Sequence, residues 1–206
     1  LSIYDEVVEF NENEALAHLY KAMCYEKVDN NDLAVKEYFK ATEIEPYLSD
    51  AWLGLGVIYA IEDNKKLAYK YIEKAIELDG LNADYWYAYA NAQKDFNDID
   101  AALKSYEKAI EIDDSIEEAW LDFSSIYWEL FNFIKAIEIL EKAIINNPDS
   151  AIIIYRLAAY YYTIGDDINA NIYFSNGLEL DYSLYEDVYE FNPDLEHNIE
   201  ITNLIL

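Results

Sequence analysis

Small apolar and large aromatic positions recur along this chain at a fixed distance. Ala34, Ala68, Ala102, Ala136 and Ala170 stand 34 residues apart without an insertion, and Ala41, Ala75, Ala109, Ala143 and Gly177 form a second ladder with the same step. Trp52, Trp86 and Trp120 form a third. The stretch EKAIELDG at 73–80 returns as EKAIEIDD at 107–114 and as EKAIINNP at 141–148. With only 5 Gly and 3 Pro in the chain, little material exists for hairpins, so the repeated unit is predicted to be a pair of helices. One pair cannot bury its apolar face alone. Stacking pairs at a constant period turns those faces into one continuous core.

The copy beginning at Ser49 carries the most complete pattern. Trp52, Leu55, Gly56 and Tyr59 mark its first helix; Ala68, Ile72 and Ala75 mark its second; Gly80 follows where other copies have Pro46 and Pro148. Small residues let two helices approach closely, aromatic side chains fill the space beside them, and Pro stops the second helix. This pattern resembles the tetratricopeptide repeat (TPR) family. The resemblance implies an all-α fold, a right-handed α-α superhelix. It divides the chain into a truncated second helix at 1–14, five repeats at 15–48, 49–82, 83–116, 117–150 and 151–184, and a C-terminal capping segment at 185–206. Departures are local: His18 replaces the Trp of the first full copy, Lys21 a Leu and Gln93 a Tyr. The turn inside each repeat favours Gly or Asn for a left-handed conformation. It holds Asp29, Asp63, Asn97, Phe131 and Gly165, so the turn at Phe131 and Asn132 is expected to be rearranged.

Charge changes what such a scaffold can hold. The chain has 42 acidic residues against 14 basic ones, a formal net charge of −28. This surface repels nucleic acid and anionic membranes and attracts cationic segments; the same acidity also keeps an apolar-rich chain in solution. The one cysteine, Cys24, excludes an intramolecular disulfide and is expected to be a buried thiol against the preceding helix. No apolar run approaches the roughly 20 residues of a membrane span. The chain starts at Leu1 rather than Met and is expected to be a piece of a longer one; a cytoplasmic location is the default expectation.

In TPR proteins a second stripe of the first helices lines a concave groove that holds peptides. Here that stripe supplies Leu19 and Met23, then Asp50, Leu53 and Val57, then Asp84, Tyr87 and Asn91, then Glu118, Leu121 and Trp128, and finally Tyr155 and Tyr162. The resemblance therefore implies a groove with apolar and aromatic ends and a carboxylate row, Asp50, Asp84 and Glu118, suited to a cationic or amphipathic peptide. Two plainer readings stand beside it. An acid in the first turn of a helix is favoured by the helix dipole, and the aromatics could simply pack against the next repeat. Lys and Asn, which grip a peptide's terminal carboxylate in one TPR subclass, are replaced by Leu19, Met23, Leu53 and Val57. Catalytic signals are absent: His18 and His197 lie far apart, His18 falls at a core position and is expected to be a packing histidine, and no glycine-rich phosphate loop is present. The expectation is a noncatalytic scaffold for protein–protein interaction, with no cofactor and no metal. The alternatives are a structural spacer, self-associating through an open N-terminal face of Ile3, Tyr4, Val7 and Val8, or an accessory module of a larger signalling or enzymatic chain.

Overall fold

The computed structural model describes residues 14–186, 188–189, 192–197, 201 and 204–205. Among the described residues ten α-helices of three turns or more follow one another, and no strand is present. They are α1 Ala15–Glu26, α2 Asn31–Ile44, α3 Ser49–Ile61, α4 Lys65–Leu78, α5 Ala83–Asp95, α6 Ile99–Ile112, α7 Glu117–Glu129, α8 Phe133–Asn146, α9 Ala151–Ile164 and α10 Asp167–Leu180. Short 3-10 segments at Tyr182–Leu184 and Pro193–His197 come after them. Two compact units result, Leu1–Ile112 and Asp113–Leu206. In the first, α1 to α6 each pack on the next, and α3 also touches α1 and α5; in the second, α7 to α10 do the same and α9 touches α7. The apolar face of Ile3, Tyr4, Val7 and Val8 lies outside the described residues.

Both small-residue ladders sit where helices meet. Ala34, Ala68, Ala102, Ala136 and Ala170 are fully buried, as are Ala41, Ala75, Ala109 and Ala143. Any larger side chain at these positions would push paired helices apart. The tryptophans do more than fill space. The indole N–H of Trp52 donates to the Pro46 carbonyl at 2.9 Å, that of Trp86 to Gly80 at 3.0 Å and that of Trp120 to Asp114 at 2.9 Å. Each therefore reaches back six residues to tie the connection between repeats to the first helix that follows.

The turn within each repeat is built the same way five times. One residue takes positive φ: Asp29 at 55°, Asp63 at 57°, Asn97 at 60°, Phe131 at 59° and Gly165 at 82°. The next amide then donates back across the turn, from Asn30 to Tyr25, Asn64 to Tyr59, Asp98 to Gln93, Asn132 to Tyr127 and Asp166 to Tyr161, a helix-ending pattern that satisfies otherwise orphaned carbonyls. Asn30, Asn64, Asn132 and Asp166 also cap the second helices through their side chains.

The rearrangement expected at Phe131 does not occur. Its backbone matches its counterparts, because the cap of Asn132 and the two packed helices over-determine the turn. Left-handed backbone costs a non-glycine residue about 1–2 kcal/mol, and the Phe131 side chain, 81% exposed, recovers little of that by burial. Phe131→Asn, which tolerates this conformation better, is expected to stabilise the chain by about 0.5–1 kcal/mol. Thermal unfolding checks it; a lower Tm would mean that the edge contact of Phe131 with Phe133 at 6.1 Å outweighs the strain.

Candidate functional site

Helix α1 exposes three large apolar side chains, Leu16 (42%), Tyr20 (44%) and Met23 (42%). Spaced i, i+4 and i+7, they share one face of the helix. Leu19 falls between that face and the core and is buried at 3%. Leu19 and Met23, both expected on the groove stripe, line a cleft between α1 and α3, and Tyr20 joins them there. The i, i+4, i+7 spacing of Leu16, Tyr20 and Met23 was the signal that could have revealed Tyr20.

Opposite α1, helix α3 contributes Leu53 and Val57, both half-buried. Between the two helices lies a cleft of about 400 Å³, floored by Tyr38 from α2 and edged by Glu26 and Asp50. Gly54 shapes that floor. A Cβ there would stand 2.3 Å from the ring carbon that bears the Tyr38 hydroxyl, so only glycine lets the ring lie against α3.

Each acid at the rim is oriented by a tyrosine. The Tyr38 hydroxyl donates to Glu26, and that of Tyr85, from α5, donates to Asp50 at 2.5 Å. Ser49 Oγ lies 2.9 Å from the same Tyr85 oxygen. Burial, reinforced by the neighbouring carboxylates, raises both phenols: Tyr38 well above its ordinary value and Tyr85 to about 12. They therefore remain donors at neutral pH. Burial also raises Glu26, with the Tyr38 hydrogen bond opposing it. One donated bond leaves a carboxylate with unused lone pairs, available to an incoming ammonium or guanidinium.

The remaining expected groove residues are placed unevenly. Asp84 is exposed in the first turn of α5, where its amide donates to Asn82 Oδ1 at 3.0 Å. Tyr87 is half-buried with its ring 6.0 Å from that of Tyr106, whose hydroxyl donates to Asn91. In the second unit Glu118 is exposed and Leu121 buried. Trp128 stacks on Tyr160 at 3.9 Å and 6° and lies 4.5 Å from Phe133.

Tyr155 and Tyr162, expected as anchors for a partner, are packed instead, at 1% and 7% exposure. The reason is a size exchange. Gly177 replaces the Ala of its ladder, and the Tyr155 ring fills that space, 2.7 Å from where a Cβ would be. The Tyr155 hydroxyl donates to the Asp181 carbonyl at 3.0 Å, and the Tyr162 hydroxyl donates to Asn171.

His18 is the packing histidine that its core position implied. It is 2% exposed, and its Nδ1 lies 2.5 Å from Oε2 of the buried Glu37. Cys24 is half-buried rather than fully buried, and the helix it was expected to meet lies outside the described residues. Among the described residues no helix is long and apolar enough to cross a membrane.

Comparisons with known proteins agree with this geometry. The family pattern described as tetratricopeptide repeat matches residues 49–80, 83–116 and 117–150. No curated protein matches the sequence. Among solved structures, YrrB, described as a TPR protein with an unusual peptide-binding site, is 20% identical with a TM-score of 0.60, over 91% of this chain and 97% of its own. The Pseudomonas aeruginosa protein pilF is 19% identical with a TM-score of 0.68, over 92% of this chain and 95% of its own. Yeast Tom70 is 20% identical with a TM-score of 0.73, over 94% of this chain and 42% of its own.

Proposed function

Because the chain belongs to the tetratricopeptide repeat family, whose fold serves as a scaffold for protein–protein interaction, we propose that the cleft between α1 and α3 holds an amphipathic, basic segment of a partner protein. One observation carries the reading: three exposed apolar side chains, Leu16, Tyr20 and Met23, face a cleft rimmed by two tyrosine-oriented acids. Single exposed apolar residues are ordinary on a protein surface, whereas a clustered face marks a contact site. The partner's apolar side chains rest on Met23, Leu53 and Val57, and its Lys or Arg groups meet Glu26 and Asp50. Asp84, Tyr87 and Asn91 on α5 extend the contact within the same unit; Glu118 and Leu121 are the positions of the second unit that correspond to Asp84 and Tyr87, and Trp128 lies on the same stripe. The peptide-binding site of YrrB, on a like fold, supports the analogy. In this reading the chain works by holding, not by catalysis, with the repeats 15–48 to 151–184 as its building units.

The test is a fluorescence anisotropy titration of a labelled amphipathic Leu/Lys peptide across ionic strengths. Met23→Glu and Leu53→Glu are each expected to weaken binding by about tenfold or more, chiefly through faster dissociation. Glu26→Gln combined with Asp50→Asn is expected to slow association and flatten its salt dependence. Wild-type affinity and salt response in all these variants would sink the assignment of this cleft.

A further inference from the structure

We propose that the first unit carries a second docking site of opposite charge preference, a cationic cleft on α4 that takes an acidic, aromatic-bearing segment of another protein. The distribution of positive charge points there. The whole chain has 14 Lys and Arg residues, and four of them, Lys65, Lys66, Lys70 and Lys74, lie on α4. They rim a cleft of about 870 Å³ whose apolar wall is made by Trp52, Tyr69 and Tyr71.

Pairing separates these lysines into two kinds. Lys65 Nζ sits 2.5 Å from Asp98 Oδ2, and Lys74 Nζ 2.9 Å from Glu77 Oε2. The other acid of the cleft, Glu73, accepts the Tyr89 hydroxyl at 2.5 Å. Lys66 and Lys70 have no carboxylate partner among the described residues; Lys70 Nζ lies only over the Tyr71 ring, at 4.8 Å. Both are exposed. At i and i+4 they stand side by side, an arrangement that repels itself and weakens the helix slightly. In a chain with three acids for every base, two adjacent cations left without acids are available to an anion from outside.

The wall beside them specifies what else the occupant carries. Trp52 stacks on Tyr71 at 5.7 Å and 23°. The Trp52 indole N–H is already used by Pro46, so what Trp52 offers the cleft is apolar ring surface. An aromatic side chain flanked by Asp or Glu matches both features. A nucleic acid matches less well, since its phosphate affinity grows with the number of cations engaged, and beyond these few lysines it would meet the acidic remainder of the chain. This cleft shares no lining residue with the acid-rimmed one. One unit can therefore hold two oppositely charged segments at once and bridge their owners.

The experiment uses the full chain and a labelled probe peptide of Asp and Glu around one Trp, followed by anisotropy. Lys66→Glu with Lys70→Glu is expected to weaken the probe by about tenfold or more. Lys104→Glu with Lys108→Glu makes the same change in net charge away from the cleft and is expected to leave binding within about twofold. Met23→Glu, in the other cleft, is expected to weaken the Leu/Lys peptide while leaving the acidic probe within about twofold. Circular dichroism should show all variants equally helical.

Equal weakening by both double substitutions would reduce the effect to bulk charge and overturn the site. So would wild-type binding by the Lys66/Lys70 variant, or tighter binding of a labelled oligothymidylate than of the acidic probe. Light scattering that shows self-association of the wild type, lost only in the Lys66/Lys70 variant, would assign the cleft to a second copy of this chain and overturn the foreign partner.

Discussion

Glu37→Ala is expected to lower the unfolding free energy by about 3–5 kcal/mol, the usual loss when one member of a buried charged set is removed. Glu37 is 4% exposed. One carboxylate oxygen lies 2.5 Å from His18 Nδ1; the other is 3.3 Å from Lys40 Nζ and 3.9 Å from Lys21 Nζ. Deleting the carboxylate leaves a buried histidine and a mostly buried lysine facing an empty hole. His18→Ala should be milder, because Glu37 keeps both lysines. In a stack each repeat is held mainly by its neighbours, so the damage concentrates in α1 and α2 and takes Tyr38, the floor of the acid-rimmed cleft, with it. Urea unfolding followed by circular dichroism measures the loss.

The pH dependence of the same pair of helices has a definite sign. Burial alone would raise the Glu37 carboxyl, but His18, Lys21 and Lys40 outweigh it and hold the group below its ordinary value of 4.5. A depressed carboxyl contributes stability that is complete above its unfolded value and lost as pH falls through its folded value. The stability gap between wild type and Glu37→Gln should therefore be largest near neutrality and close as pH drops below about 4.5. Taking the difference between the two proteins removes the common effect of the other carboxylates. A gap that stayed constant into acid would disprove the role of the ionised form.

Gly56→Ala is the second large effect, with an expected net destabilisation of about 2 kcal/mol. A Cβ at Gly56 would stand 2.5 Å from Ile72 Cγ1, 2.9 Å from the Ile72 amide nitrogen and 3.2 Å from the Ala68 carbonyl oxygen. Two of those three atoms are backbone of α4, so relief requires the helices themselves to separate. Alanine would gain about 1 kcal/mol in helix propensity, which the overpacking exceeds. Thermal unfolding should show Tm lower by roughly 4–8 °C for a chain of this size.

Gly54→Ala makes an instructive contrast. Its nearest neighbours are all atoms of the Tyr38 ring, which can swing away from Glu26. Stability should fall less than in Gly56→Ala, and peptide binding in the acid-rimmed cleft should fall more. A Gly56→Ala protein with wild-type Tm would show that α3 and α4 have slack at this crossing.

Much of the architecture was legible because it repeats. The alanine ladders fell at helix contacts, and Asp29, Asp63, Asn97 and Gly165 announced their turns by residue type. Phe131 did not, since aromatic residues rarely take left-handed backbone, and the turn there is enforced by the cap at Asn132 and the helices on either side. The tryptophans were recognisable as spacers but not as hydrogen-bond donors to the carbonyls of Pro46, Gly80 and Asp114, which only the fold places within reach. His18 was readable as a core residue; Glu37, its buried partner, was not.

The sequence by itself determined the 34-residue period, the helix pairs and the strongly acidic surface. All three follow from local spacing and counting, and a constant step fixes which neighbours each repeat meets. The tertiary structure alone decided which members of a stripe face solvent. Tyr20 joins Leu19 at the cleft, and the space vacated at Gly177 drew Tyr155 inward. It also left Lys66 and Lys70 side by side at one cleft with no carboxylate partner among the described residues. Exposure and pairing depend on the sizes and charges of side chains brought together from other elements, and a period along the chain does not record them.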